Sequence, residues 1–558
     1  MLRHVARFLP NSADYNLKHA RVDLLAGVTV AVVALPLALG FGVTSGAGAA
    51  AGIVTAVVAG FVAAFLGGSN YQVTGPTGAM TAVLLPMVAV YGAGVLPLLA
   101  LLAGIVLIVM SLAGIGRYVR FIPWPVVTGF TNGIAVIIFL QQLPNVLGVS
   151  APHGESIVLI SYRTVQQWLQ APTFASIVLA ILTVAVMVGW NRIKALAVLP
   201  ASMAALLVVS FISLLPQFEN VARIGTIPRT LPMPQFPMIA LEGAFVDLAR
   251  AAVAVAVLAA LESLLCAVVA DGMTVGDKHD PDRELLGQGL GNIASSLFGG
   301  LPSTAALART AVNVRSGART RLAAMSHAVV LLAVVLFLAP LASRIPLAVL
   351  GGILMVVAVR MIERHATVLT LRSTKSDAFV LMLTFVVTVL FDLILAIEVG
   401  LVAAAILFIV RMSATFKIDP ISLEGTTIEP LMSDRDVDQL KPLKDKVVAF
   451  RVEGPIFFGA ADRFIDMLLK VDPGIEVLIL RLRRVPVLDA TGVTALQALK
   501  ERLERQGVVL LISGLQPQPS GLLKRTGVYQ QLTAEGKNVF ETTEEAIRAA
   551  GDLVAGAP

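Results

Sequence analysis

From about residue 24 to about residue 410 the chain consists of long apolar runs separated by short polar breaks. A backbone in lipid must satisfy its own N–H and C=O groups, so a tract of this kind folds as membrane-spanning helices. Hydrophobic residues make up 57% of the chain and charged residues 14%, against roughly 25% charged in soluble domains. Residues 411–558 return to ordinary soluble composition and include Arg481, Arg483, Arg484, Lys500, Glu501, Arg502, Glu504 and Arg505. The expected organisation is a short cytosolic segment over 1–22, a transmembrane domain over 23–413, a linker over 414–440 and an α/β domain over 441–558. The net charge of +6 resides largely in juxtamembrane Lys and Arg and calls for no nucleic acid. The single cysteine, Cys266, excludes an internal disulfide and fits a tail in a reducing cytosol. The first 22 residues lack an apolar h-region, so no cleaved signal peptide is expected.

About fourteen segments can be placed, near 24–42, 48–67, 76–90, 94–114, 125–147, 173–190, 196–216, 245–270, 284–298, 303–315, 322–340, 346–362, 377–392 and 395–412. Several are shorter than the roughly 20 residues of a straight crossing. The loops on one side collect Arg117, Arg120, Arg192, Lys194, Arg315, Arg319, Arg321, Arg360, Arg364, Arg372 and Lys375. Those on the other side hold Arg163, Arg223, Arg229 and Arg344. The positive-inside rule makes the first side cytoplasmic and puts both termini there, in a multi-pass protein of the cell's inner (plasma) membrane.

Two prolines interrupt this tract, in Thr74-Gly75-Pro76-Thr77-Gly78-Ala79 and in Gly300-Leu301-Pro302-Ser303-Thr304-Ala305, 226 residues apart. Asp23-Leu24 and Asp247-Leu248 recur at a similar offset, 224 residues. An odd number of spans per half turns the second copy over, giving inverted repeats of seven segments over about 23–216 and 245–413. Chance likeness between Ala/Val/Leu-rich segments is the alternative. A proline-rich stretch from Pro228 to Pro237 joins the halves. Matched interruptions in the two halves of a membrane tract point to a transporter's substrate site.

If the residues after each proline begin half-helices near the midplane, their free N–H groups and positive dipole ends converge on one cavity and bind an anion. Thr77, Ser303 and Thr304 would supply cap hydroxyls, while Gly78, Ala79, Ala305 and Ala306 leave the backbone open to approach. Phe41 and Gln72 either line the cavity or pack. Arg309, about two turns into the second half-helix, is the fixed positive charge at hand, with snorkelling or packing as the plainer alternative. Glu262 is the one carboxylate in Val253–Ala270. A group there that gains and loses a proton is what proton coupling needs, unless Glu262 is salt-bridged to Arg309 or capped by Ser263. Asp392 and Glu398 read as structural. The loop Asp271–Arg283 carries acidic residues without ligand spacing, so no metal or cofactor is expected.

Several stretches stand out together: residues 71–77 (Tyr71 to Thr77), Phe130-Thr131-Asn132-Gly133, Leu261-Glu262-Ser263-Leu264-Leu265-Cys266, residues 284–292 (Glu284 to Asn292) and Ala306-Leu307-Ala308-Arg309-Thr310. Leu488-Asp489-Ala490-Thr491-Gly492 adds one in the tail. In these stretches the chain resembles the SulP sulfate-permease family of anion transporters. The resemblance implies core and gate domains built from two inverted seven-segment repeats, a C-terminal STAS domain, a homodimer, and an anion beside the position of Arg309. Sodium-coupled members tend to carry Asp with a hydroxyl one turn later. Glu262 and Cys266 stand there in this chain, which favours a proton over sodium.

In the tail, strands are expected over Val447–Val452, Val477–Arg481 and Val508–Ser513. Helices are expected over Ala461–Lys470 and Thr494–Gln506, with others near Gly521–Thr526 and Thr543–Ala550. No nucleophile–base set or phosphate loop occurs, so the chain is not read as an enzyme. Thr491 occupies the place of a phosphorylatable serine in similar anti-sigma-factor antagonists, and a docking role for a cytosolic protein partner is expected ahead of phosphorylation. The function expected is secondary active transport of a small anion, proton-coupled. A C4-dicarboxylate such as fumarate or succinate is favoured over sulfate or bicarbonate by likeness of Glu262 and Leu264–Cys266 to bacterial dicarboxylate carriers. An anion channel, an exchanger and a nucleobase permease are the other readings.

Overall fold

The computed structural model describes residues 19–150, 156–190, 192, 199–237, 245–274, 278–391, 393–421, 445–458, 464, 474–532 and 538–556. Most of the 1–22 segment, most of the 414–440 linker, Lys194, Asp392 and the helix expected over 461–470 (Phe464 apart) lie outside these residues. The chain divides near residue 402 into two compact units.

The first unit is helical, and each of the fourteen expected segments contains a helix. Its first half runs α1 (Ala20–Thr44), α2 (Ala49–Leu66), β1 (Thr74–Gly75), α3 (Gly78–Tyr91), α4 (Val95–Leu112), α5 (Trp124–Gln141), α6 (Leu143–Leu147), α7 (Ile157–Gln170), α8 (Ala175–Trp190) and α9 (Ala201–Ile212). The second half repeats the order: α10 (Phe245–Met273), α11 (Pro281–Leu297), β2 (Thr304–Ala305), α12 (Leu307–Arg315), α13 (Leu322–Ala342), α14 (Leu347–Met361), α15 (Arg364–Arg372), α16 (Lys375–Leu390) and α17 (Leu393–Ala414). Among the described residues, seven helices are long and apolar enough to cross a membrane. α3 and α12 are too short to do so, as half-helices are. α7 and α15 are two further short helices that the span reading does not contain.

α1 stands between two apolar cores. Leu37 and Phe41 pack with Met80, Leu84, Leu99, Ile138 and Leu258. Leu35 and Leu39 pack with Ile53, Leu179, Leu206, Leu331 and Ile353. Burial of apolar surface cannot hold helices together within lipid, so close packing and internal polar bonds must do so.

The start of the second half-helix differs from expectation. Thr77 caps α3, as expected, but α12 begins at Leu307 and not at Ser303. Residues 303–305 are extended because partners remote in sequence take their backbone groups. The Asn292 side chain holds both Ser303 N–H and C=O, and Thr304–Ala305 pair with β1. A segment whose backbone is bonded elsewhere has no need of a helix. The prolines are therefore not structural equivalents: in the first half the strand precedes Pro76, and in the second it follows Pro302.

The second unit contains a five-stranded sheet in the order β3 (Lys417–Pro420), β4 (Val447–Glu453), β5 (Val477–Arg484), β6 (Val509–Ser513) and β7 (Val539–Phe540). β3 is antiparallel to β4 and the other pairs are parallel. β3 adds a strand from within the stretch read as linker. Alternate residues of β5 face opposite layers. Leu478, Leu480 and Leu482 pack with α18 (Ala490–Arg505) and α19 (Pro517–Arg525), while Val477 and Ile479 pack with α21 (Thr543–Ala555). A short helix, α20 (Val528–Leu532), joins the first layer. Asp489 caps α18 through Gly492 N–H at 2.8 Å, which places Thr491 in its first turn.

Candidate functional site

The two halves meet in a two-stranded ladder. β1 and β2 run antiparallel, with Thr74 opposite Ala305 and Gly75 opposite Thr304. Both half-helices start from it, α3 just beyond β1 and α12 just beyond β2.

Thr77 makes the start of α3. Its hydroxyl oxygen accepts from Met80 N–H at 3.4 Å, and its O–H donates to Glu262 Oε2 at 3.0 Å. Glu262, half-buried on α10, thus joins the α3 cap by a charge-assisted bond whenever it is ionised. Gly78 and Ala79 are buried. A Cβ on Gly78 would lie 2.1 Å from Ile138 Cδ1 and 3.1 Å from Phe41 Cε1, so Phe41 and α5 pack directly against this helix start.

The start of α12 is built differently. Ala306 caps it without any side-chain bond, and its own N–H donates to Val73 O at 3.0 Å. Leu307 and Ala308 are exposed. The first-turn N–H groups of a helix have no partner within the helix, and here no side chain caps them.

Arg309 is fully buried, and its Nη2 donates to Pro76 O at 3.1 Å. Nε and Nη1 have no hydrogen-bond partner among the described residues. Nη1 reaches to 2.5 Å from where a Cβ on Gly75 would stand, so the absence of a side chain there lets the guanidinium lie under the β1–α3 turn. No ion pair joins Arg309 to Glu262 among the described residues; the carboxylate bonds Thr77 instead. Neither the salt bridge nor the Ser263 cap considered from the sequence forms.

Ser303 and Thr304 do not serve as caps. Ser303 N–H donates to Asn292 Oδ1 at 2.7 Å, and Asn292 Nδ2 donates to Ser303 O at 3.0 Å. Thr304 Oγ1 donates to Ala259 O at 3.1 Å and lies 2.8 Å from Ser263 Oγ, which accepts from Ala305 N–H at 3.2 Å. Gln72 Nε2 donates to Ser263 O. These groups tie the β2 segment to α10 and α11 and leave little free valence for a solute.

A polar stripe on α11 supports the ladder from behind and escapes the sequence reading of roles. Glu284 Oε2 accepts from Gly68 and Ser69 N–H at 2.8 and 2.9 Å. Gln288 Nε2 donates to Glu284 Oε1 at 2.9 Å and to Thr74 Oγ1 at 2.7 Å. Asn292 completes the series at the same four-residue spacing, one helix face. That spacing was the available signal.

The model of the Sulfate permease family matches residues 21–384, and that of the STAS domain matches residues 440–546. A Bacillus subtilis (strain 168) protein, YvdB, provisionally named a sulfate transporter, is 38% identical over 540 residues, covering 96% of this chain and 98% of that protein. The bicarbonate transporter BicA of Picosynechococcus sp. is 32% identical over 550 residues, 95% of this chain and 94% of its own. Among solved structures, murine Slc26a9, an anion transporter in the inward-facing state, superposes with a TM-score of 0.86 over 99% of this chain and 95% of that one, at 19% identity. That likeness is one of fold.

Proposed function

Because the chain belongs to the sulfate permease family, a family of membrane transporters and not enzymes, we propose that it is a secondary active transporter carrying a small anion inward with a proton. The anion sits between the starts of α3 and α12, and alternating access exposes it to each side in turn. One observation carries this reading: an exposed helix start with no side-chain cap above a buried guanidinium, two of whose nitrogen atoms have no partner among the described residues. Helix N-termini and arginine both favour anions. Thr77, Gly78 and Ala79 form the opposite wall with Phe41 behind them. Ala306 offers its backbone, while Ser303, Thr304 and Ala305 shape the site from its support.

Glu262 is the coupling group in this reading, since it is the carboxylate held at the α3 cap. A proton on it removes one negative charge as the anion enters. Cys266, one turn on, is buried and presents a thiol where sodium would need a hard oxygen ligand. The substrate is a small oxyanion. The names of the relatives point to sulfate or bicarbonate, and the sequence around Glu262 points to fumarate or succinate. This reading has the chain in the inner membrane with both termini cytoplasmic, as a homodimer whose STAS domain receives a cytosolic protein.

The test is uptake by proteoliposomes of sulfate, bicarbonate and fumarate, driven by an imposed proton gradient without sodium. Wild type should concentrate one of them, faster at lower external pH. Glu262→Gln mimics the protonated form, so it should retain binding and exchange but lose accumulation. Proton-driven accumulation by that variant would place the coupling elsewhere.

A further inference from the structure

Asp23 and Asp247 stand in the first turns of α1 and α10, the opening helices of the two halves. Each bonds to the half that is not its own. Asp23 is fully buried, and the loop after α12 surrounds its carboxylate with donors. Arg319 N–H reaches Oδ1 at 2.7 Å, Thr320 N–H reaches Oδ1 at 3.2 Å, and the Thr320 hydroxyl reaches Oδ2 at 2.6 Å. Asp247 Oδ2 accepts from the hydroxyl of Tyr91 at 3.2 Å, and Tyr91 is the last residue of α3. α3 therefore starts at the β1–β2 ladder and finishes against an aspartate from the opposite half, while α12 starts there and leads into a loop that another such aspartate holds.

We infer that Asp23 and Asp247 are exchanged positioning residues. They fix the loop that follows α12 and the end of α3, and so set the distance and angle between the two helix starts that, on the reading above, hold the anion. A carboxylate suits the task because it only accepts, and all four groups aimed at the pair are donors. An asparagine in place of Asp23 would turn an NH2 group toward N–H or O–H donors or leave one of them buried and unpaired, and burial makes that costly. The two positions are unequal. Asp23 is enclosed and bonded three times, whereas Asp247 is exposed and bonded once. The loop after α12 is held firmly and the α3 end lightly.

The experiment compares Asp23→Asn, Asp247→Asn, Tyr91→Phe and the double variant Tyr91→Phe/Asp247→Asn in the full-length chain. It measures KM in proteoliposomes for whichever of sulfate, bicarbonate or fumarate the wild type takes up, together with amide hydrogen exchange by mass spectrometry. Asp23→Asn should speed exchange over residues 316–321, in the opposite half, and raise KM roughly tenfold, the order of one lost charge-assisted bond. Tyr91→Phe and Asp247→Asn should each speed exchange at residues 88–94 and raise KM about two- to fivefold, the scale of an exposed bond. The double variant should be no worse than either single one. Faster exchange confined to the mutated helix, an unchanged KM in protein that inserts, or additive effects in the double variant would overturn the inference. If Asp23→Asn fails to insert, Thr320→Val removes one of the three donors, and an unchanged KM there overturns it equally. A wild type inert toward all three anions counts against the substrate reading alone, because hydrogen exchange still decides the clips.

Discussion

At the scale of the residue, Arg309 carries more than charge. It is among the largest side chains wholly enclosed by the protein, so it fills the core beneath the β1–α3 turn as well as placing a cation there. Truncation would mix the two effects. Arg309→Met keeps most of the stem volume and removes the charge, and it should reduce uptake by at least ~tenfold, since an anion would lose a desolvated countercharge worth more than ~1.4 kcal/mol. Its thermal midpoint should stay close to wild type. Arg309→Ala should lose the same activity and also about 2–5 kcal/mol of stability through the cavity it leaves. Parallel uptake and thermal-unfolding measurements separate charge from packing. Equal rates in Arg309→Met and wild type would assign anion binding to the helix ends alone.

At the scale of the element, Asn292 is the joint between α11 and the strand that leads into α12. Asn292→Leu preserves size but leaves Ser303 N–H and C=O buried without their partner, a cost of about 1–3 kcal/mol per group. Residues 303–305 should then lose order. Hydrogen exchange should rise over β2 and the thermal midpoint should fall, which both measurements can check directly. This region also shows what local sequence can reveal. Spans, halves and the interrupted segments were legible, because length and apolar content decide them. Thr77 was legible as a cap because it directly precedes the helix it starts. Ser303 was not, because Asn292 takes its backbone and the residues after it pair with a strand in the other half, and pairing over that separation leaves no local mark. The polar series Glu284, Gln288 and Asn292 was visible at helical spacing, but only the fold shows that it faces the ladder. Arg309 and Glu262 stood out as charges in apolar surroundings, while their separate partners, Pro76 O and Thr77, depended on the β1–β2 contact.

At the scale of the whole molecule, the candidate site draws on residues 41–309 and on nothing after them. Removing residues 441–558 should therefore leave a membrane domain that binds the anion with its affinity within about threefold of the full chain, a change below ~0.7 kcal/mol. Equilibrium binding to the purified truncation checks this, and loss of binding in a folded, inserted protein would make the tail part of the site. The ladder itself bears on how the chain is made. Thr74 and Gly75 find their strand partners, and Pro76 its arginine, only in the second half, the latter 233 residues later. At the ordinary ~5–20 residues per second of synthesis, the first half emerges roughly 10–50 s ahead of those partners. For that interval α3 is a segment too short to span, preceded by backbone with nothing to bond. During biosynthesis it has to wait at the insertion machinery or at the membrane surface, and it can settle at depth only when its counterpart arrives.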